Sequence, residues 1–320
     1  MWAPFFAYGP QPDARLHRRP VHRLDPQRLQ HVVPAGENRV ICDARTGKII
    51  AIVIHNFCKS DPTLQWLMRV VERGVHFKKS VRLEDPGSLV LMGYTAGARS
   101  CPIFYWARNV RSKKFDTEME QFNYESSSVF ALFWNLCRSH LPDEIISDIQ
   151  SFLDTGIPRM DAGGAMASGD APGAGHYTVS PAPDVSFTFH EAQLAPPTGV
   201  FAANYSRAVH YEHQPHDYSI SWTLARSDPP SAGGNFFISQ YGIRVEQAPN
   251  TVVVWMPKQP HGTSLQHLDP LDKEPPFLQT GLAFITSPRI LKVWDDFEQK
   301  RITKEEALSL LDEKDDVKYE

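Results

Sequence analysis

His210-Tyr-Glu212 and, some fifty residues on, Pro260-His261-Gly-Thr263 place two imidazoles and a carboxylate at the ends of apolar runs. If Val200 to Val209 is extended, side chains alternate across it, and His210 and Glu212 project to one side. His261 follows a second run of this kind, Thr251-Val-Val-Val-Trp-Met256. Two imidazoles and one carboxylate that leave coordination positions open suit a non-heme Fe(II). Mn(II) is the close alternative, whereas zinc in structural sites takes a closed tetrahedral set. Histidine is frequent, 13 of 320 residues, so neighbours compete. His213 and His216 lie on the same segment, and Asp217 rivals Glu212 as the carboxylate. The plain counter-reading is three unrelated polar residues at strand ends.

The elements that must position these residues follow from pattern. Residues 1–38 are rich in Pro, Arg and His without periodicity and read as an irregular arm. Arg39-Val-Ile-Cys42 and Ile49 to Ile54 read as a hairpin around Asp43-Ala-Arg-Thr-Gly47. Ser60-Asp61-Pro62 opens a helix with Leu64, Leu67, Met68, Val71 and Val75 at helical spacing. Leu89 to Tyr94 suggests a strand, and residues 125–139 and 142–156 a helical hairpin. Residues 103–115 mix aromatic and basic side chains and read as a solvated face over core aromatics. Residues 161–176, dominated by Gly and Ala, read as a connecting loop. Beyond it, candidate strands crowd together at 177–180, 185–190, 199–210, 218–225, 235–239, 242–247, 251–256 and 281–286, with a shorter one near 263–266. Such density suggests a sandwich or jelly roll over residues 177–290. Residues 39–160 would then be an N-terminal α/β support region, and residues 291–320 C-terminal helices.

Composition narrows the class. A net charge of −4 argues against a strongly basic nucleic-acid binder. The four cysteines, Cys42, Cys58, Cys101 and Cys137, form no C-x-x-C pair, which argues against a zinc ribbon. No apolar run reaches the ~18 residues of a membrane span. The apolar N-terminus lacks a basic flank and is broken by Pro and Gly, unlike a signal peptide. An intracellular location, cytoplasmic or nuclear, is the expectation.

The segments His210-x-Glu212, Gly233-Gly-Asn-Phe-Phe-Ile238, Val252-Val-Val-Trp-Met-Pro257 and His261-Gly-Thr-Ser264 resemble the double-stranded β-helix oxygenases. Asp43-Ala-Arg-Thr-Gly-Lys48, Val81-Arg-Leu-Glu-Asp-Pro-Gly87 and Tyr124 to Cys137 extend the likeness over most of the chain. With these included, the chain looks like uncharacterised fungal proteins related to the Tet and J-binding-protein branch of Fe(II)/2-oxoglutarate dioxygenases. The resemblance implies an α+β fold with a double-stranded β-helix (jelly-roll, cupin-like) core. It implies Fe(II) held by His210, Glu212 and His261, O2 and 2-oxoglutarate as co-substrates, and oxidation of a C–H group on a small molecule or a modified nucleobase.

Two departures stand out. Aspartate is commoner than glutamate at the position of Glu212. An arginine ordinarily holds the 2-oxoglutarate carboxylate on the strand after the distal histidine, since its planar fork matches a carboxylate. Here that strand reads Gln279-Thr-Gly-Leu-Ala-Phe-Ile-Thr286. Arg289, Gln279 and Lys273 are the co-substrate candidates around it. Arg207 should alternate away from the His210 and Glu212 side, and Arg226 should be solvated at a strand end. Ser219, Ser221 and Thr223 should share one strand face, with Ile220, Trp222 and Leu224 on the other. The competing readings are a cupin-like binding or scaffold protein without turnover, and a Mn- or Zn-dependent hydrolase or isomerase on the same triad.

Overall fold

The computed structural model describes residues 2–3, 21–98, 100–168, 171–268, 276–299 and 301. The short strands β1 (Trp2–Ala3) and β2 (His22–Arg23) pair in parallel, and β3 (His31–Val33) follows. β4 (Arg39–Cys42) and β5 (Ile49–His55) form the expected hairpin. Asp43 Oδ1 closes its turn by accepting from the N–H groups of Arg45 and Thr46 at 3.0 and 2.9 Å. α1 (Asp61–Phe77) starts where the Ser60 hydroxyl caps the Thr63 N–H, with Pro62 in the first turn. β6 (Ser88–Ala98) and β7 (Cys101–Trp106) make a second hairpin, and α2 (Met119–His140) and α3 (Asp143–Leu153) are the expected helical pair. β8 (Ala174–Ala182) and β9 (Val185–Gln193) pair as a ribbon. The rest is β10 (Thr198–Ala203), β11 (Ser219–Arg226), β12 (Phe236–Ile238), β13 (Ile243–Val245), β14 (Thr251–Trp255), β15 (His261–Thr263), β16 (Gln279–Phe284) and α4 (Ile290–Glu298). The fold is mixed α+β and dominated by sheet. The expected helix over 303–311 lies outside the described residues, as do Lys273 and residues 4–20 of the N-terminal arm. No helix among the described residues is long and apolar enough to cross a membrane.

Eight strands form the main sheet in the order β4-β5-β14-β11-β16-β10-β6-β7, so both halves of the chain contribute to it. A second sheet of four strands runs β15-β12-β13-β3. Strand alternation gives the main sheet two distinct faces. On one, Ile220, Trp222, Leu224, Phe201, Leu282 and Phe284 pack against the helices. Phe130 of α2 stacks on Phe201 at 5.1 Å, and Phe133 on Phe284 at 4.7 Å. Gly199 leaves room for the Phe130 ring, since a Cβ there would lie 2.3 Å from it. On the other face, Ala51, Val53, Val253 and Trp255 meet Phe236, Ile238, Ile243 and Val245 of the smaller sheet. Where the two sheets diverge they enclose a cavity of about 910 Å³, walled by Leu91, Val200, Ser221, Thr223, Ala283 and the β15 edge. Ser221 and Thr223 thus face this cavity while Trp222 and Leu224 enter the core, as the alternation in β11 requires.

Two expected strands are corrected. The run 199–210 is not one strand, because β10 ends at Ala203. Asn204 adopts φ +50°, and its carboxamide accepts from the N–H groups of Leu278 and Gln279 at 2.9 and 3.0 Å. A left-handed residue pinned by its side chain turns the chain out of the sheet. The short strand expected near 263–266 lies earlier, as β15, where it pairs with β12.

At the end of α1, Lys78 is fully buried, and its ammonium donates to the carbonyls of Ala107 (2.8 Å) and Leu91 (3.2 Å). Burial pushes its pKa down to about 7, whereas an unfolded lysine titrates near ~10.4. Between these values the unfolded chain binds the extra proton, so this residue's contribution to stability grows as pH rises from about 7 to about 10 and is flat below. Thermal unfolding of wild type and Lys78→Met across pH 6 to 10.5 should therefore show the wild type gaining relative stability above pH 7; a constant difference would contradict this account.

Candidate metal centre

The segment after Asn204 lacks regular structure, yet it is tied closely to β15. His210 and His261 exchange both backbone bonds, N–H to O at 2.8 Å each way. Directly opposed residues of such a pair send their side chains to the same face. The Thr263 N–H donates to Arg207 O (2.9 Å), and the Arg207 N–H to Thr263 Oγ1 (2.7 Å). Between them Gly262 lies so near the segment that a Cβ would sit 2.9 Å from Arg207 O and 3.0 Å from the Val209 nitrogen. The Glu212 N–H donates to Pro257 O at 2.7 Å, which holds Glu212 beside the two histidines.

One donor atom from each of His210, Glu212 and His261 lies within 4.8 Å of the others. Both rings are oriented from behind. His210 Nδ1 is 2.8 Å from Ala208 O, and His261 Nδ1 is 2.8 Å from Gln259 O. A carbonyl only accepts, so each Nδ1 is assigned the proton and each Nε2 is left with its lone pair. That outer hydrogen bond is the usual way of orienting a metal-binding imidazole. Burial lowers the pKa of His261 to about 4, with His210 adding to the effect, so its ring is neutral at physiological pH. Burial acts to raise the Glu212 carboxyl, but His210, Arg207 and His261 together outweigh it and hold the pKa at about 2. His210 Nε2 stands 3.5 Å from Glu212 Oε1, close enough for a proton on the ring or a cation between them to hold the two together. The residues therefore fit a divalent metal.

The carboxylate is also braced by residues that sequence pattern missed. Arg207 Nη1 donates to Glu212 Oε1 at 2.5 Å, and its Nε lies 3.6 Å from Asp85 Oδ2. Tyr205 donates to the same Asp85 oxygen at 2.9 Å. Arg207 was expected to point outward; it contacts Glu212 because strand alternation ceases at Asn204. Asp85 belongs to a tight turn whose Gly87 (φ +76°) abuts the Ala203 and Asn204 backbone, a proximity with no local signature in sequence. The competing ligands lie elsewhere. His216 is buried between Tyr218 O (2.6 Å) and Thr286 Oγ1 (3.1 Å). Asp217 pairs with Lys48 and Lys258. His213 is exposed at the cavity rim, edge-on to Tyr211.

A carboxylate co-substrate fits less well. β16 pairs in register with β11 and β10 and presents Gln279, Gly281 and Ala283 along the cavity, none of them basic. The Gln279 side-chain carboxamide oxygen accepts from Arg226 Nη1. Arg226, expected to be solvated, is instead 9 % exposed and also binds Pro229 O and Gly233 O, because β11 carries it beneath the Gly233-Gly234 turn. Arg289 lines the cavity, but its guanidinium donates to Gly97 O (2.7 Å) and Ala98 O (3.4 Å).

No protein-family model matches the chain, and no curated protein matches it. Among solved structures it is similar to NgTET1 of Naegleria in complex with 5mC DNA, at 11% identity and a TM-score of 0.46, over 83% of this chain and 90% of that one.

Replacing Arg207 sets two effects against each other. Removing a positive charge favours a dication, while freeing the Glu212 carboxylate leaves its side chain without the bond that orients it. The second should prevail, as partners behind metal ligands are worth ~10–100-fold in affinity. Calorimetric titration with Mn(II) should show Arg207→Met binding at least about tenfold more weakly, with Arg207→Lys intermediate. Tighter binding would make Arg207 a mere counterion.

Proposed function

We propose that this chain is a non-heme Fe(II)-dependent oxygenase whose metal is held by His210, Glu212 and His261. The observation that carries this is the convergence of two oriented imidazole lone pairs and one anionic carboxylate at the wall of a cavity of about 910 Å³. In this reading the facing sheets are a jelly-roll core over residues 177–290, extended by strands of the 39–160 support region. β3 joins the smaller sheet from the N-terminal side, residues 161–168 and 171–173 lead into β8, and α4 follows the core.

When bound, Fe(II) would supply O2 activation for attack on a substrate C–H. The chain's own residues account for the rest. His210 and His261 act as neutral donors, and Glu212 adds one negative charge that Arg207 and Asp85 hold in place. Leu89, Leu91, Val200 and Ala283 exclude water from one side of the cavity, while Ser221 and Thr223 offer hydroxyls to orient a ligand. The substrate class is a small molecule or a modified nucleobase. 2-Oxoglutarate is the candidate co-substrate, with Arg289, which follows β16 in the chain, a basic residue of the cavity lining. β16 itself offers no arginine to hold that co-substrate's carboxylate. All four cysteines are free, which fits a reducing compartment, cytoplasmic or nuclear.

A second reading is favoured by one observation: an uncharged β16 beside a ligand carboxylate already bound by Arg207. It is a cupin-like binding protein, or a Mn(II)- or Zn(II)-dependent hydrolase or isomerase, on the same three residues.

Metal analysis after anaerobic reconstitution with Fe(II) tests the first reading. The wild type should hold about one Fe(II) per chain, His261→Ala should lose it, and Asp217→Asn should keep it. No bound iron in the wild type sinks the proposal. Iron without O2 consumption, with or without 2-oxoglutarate, transfers support to the second reading. Succinate release from 2-oxoglutarate would establish the co-substrate.

A further inference from the structure

A second cavity, of about 620 Å³, shares no lining residue with the metal-centre cavity. It lies where the end of α3 meets residues 156–161 and residues 167–168 and 171–174 of the stretch expected as a plain connection. Arg159 lines it and is 8 % exposed. Of the five guanidinium donors, one bond is made among the described residues, from Nη1 to Leu194 O at 3.3 Å, and no carboxylate of those residues is within ion-pair distance. Nε and Nη2 lie against Gly173 (φ +75°), where a Cβ would stand 2.7 and 2.9 Å away. A side chain there would displace the guanidinium, so glycine is needed both for the turn and for the close approach. Burial also pushes the Arg159 guanidinium down to about 10, with Asp154 opposing the shift.

A buried, under-bonded guanidinium is costly unless something in the cavity accepts from it. The walls define what that is. Leu153, Ile157 and Leu194 form an apolar floor, each 3 % exposed or less. The carboxylates of Asp154 and Asp161 also line the space, held by Gln150 (2.6 Å) and Tyr94 (2.9 Å). Two negative groups oppose a dianion such as phosphate, but tolerate one singly charged group docked on the arginine fork. The volume falls in the ~300–1,000 Å³ range of small-molecule sites. We propose that this cavity is a binding site for a small monocarboxylic acid with an apolar body, its carboxylate on Arg159 and its chain over Leu153, Ile157 and Leu194.

Calorimetry on the metal-free full chain, with sodium hexanoate, 1-hexanol and inorganic phosphate as probes, tests this. Hexanoate should bind at least tenfold more tightly than either of the others. Arg159→Gln should lose that preference, Arg159→Lys should keep part of it, and His261→Ala should bind hexanoate as the wild type does. Equal binding of hexanoate and hexanol, tighter binding of phosphate, no hexanoate binding, or full retention in Arg159→Gln would overturn the proposal. Loss in His261→Ala would also overturn it, by moving the signal to the other cavity. If Arg159→Gln fails to fold, the three-probe comparison on the wild type still decides.

Discussion

The reciprocal backbone bond between His210 and His261 is the contact on which the candidate site depends. Residues 204–218 leave the main sheet at Asn204 and re-enter it at β11 without regular structure of their own. An irregular segment is normally the poorest place to hold three donor atoms, because sites built on strands and helices are better fixed. Here the segment borrows the rigidity of β15, which is itself paired to β12. Gly262 permits the approach, and the Arg207 and Thr263 bonds extend it by one more pair. His210 and Glu212 therefore sit on an element that behaves locally like a strand while remaining free to project into the cavity.

Charge is arranged with the same economy. Glu212, Arg207 and Asp85 form a chain of alternating sign that passes from the metal centre to the β6 side of the cavity. Asp85 is buried and one of its oxygens has no partner among the described residues, so its charge depends on Arg207 and on the Tyr205 hydroxyl. Breaking such a buried pair costs more than making it gains, which makes the brace a device for holding geometry more than for adding stability. The helices contribute from the opposite face. The aromatic stack of Phe130, Phe133, Phe201 and Phe284 fixes β10 and β16, leaving their alternate residues as a firm cavity wall.

Much of this was legible beforehand. The hairpin at Asp43, the capped start of α1, the paired helices α2 and α3 and most strands of the second half follow from turn chemistry and periodicity, which act over a few residues. The candidate ligands His210, Glu212 and His261 were legible as residue types, and the structure brings them together, although not through the continuous strand that suggested their shared face. His216 and Asp217 were competitors in sequence. Only their partners, Tyr218, Thr286, Lys48 and Lys258, separate them from the triad.

Sequence alone determined which local structures could form and which side chains could bind a metal, because capping, turn geometry and alternation are properties of neighbours along the chain. Tertiary structure decided where Arg207 and Arg226 point, that Asp85 braces the site, and that the Gly/Ala-rich stretch walls a second cavity. Each of these depends on segments distant in sequence meeting in space. For Arg207 the cause is a single residue: alternation predicts direction only while the backbone stays extended, and Asn204 ends that extension just before the segment that carries the site.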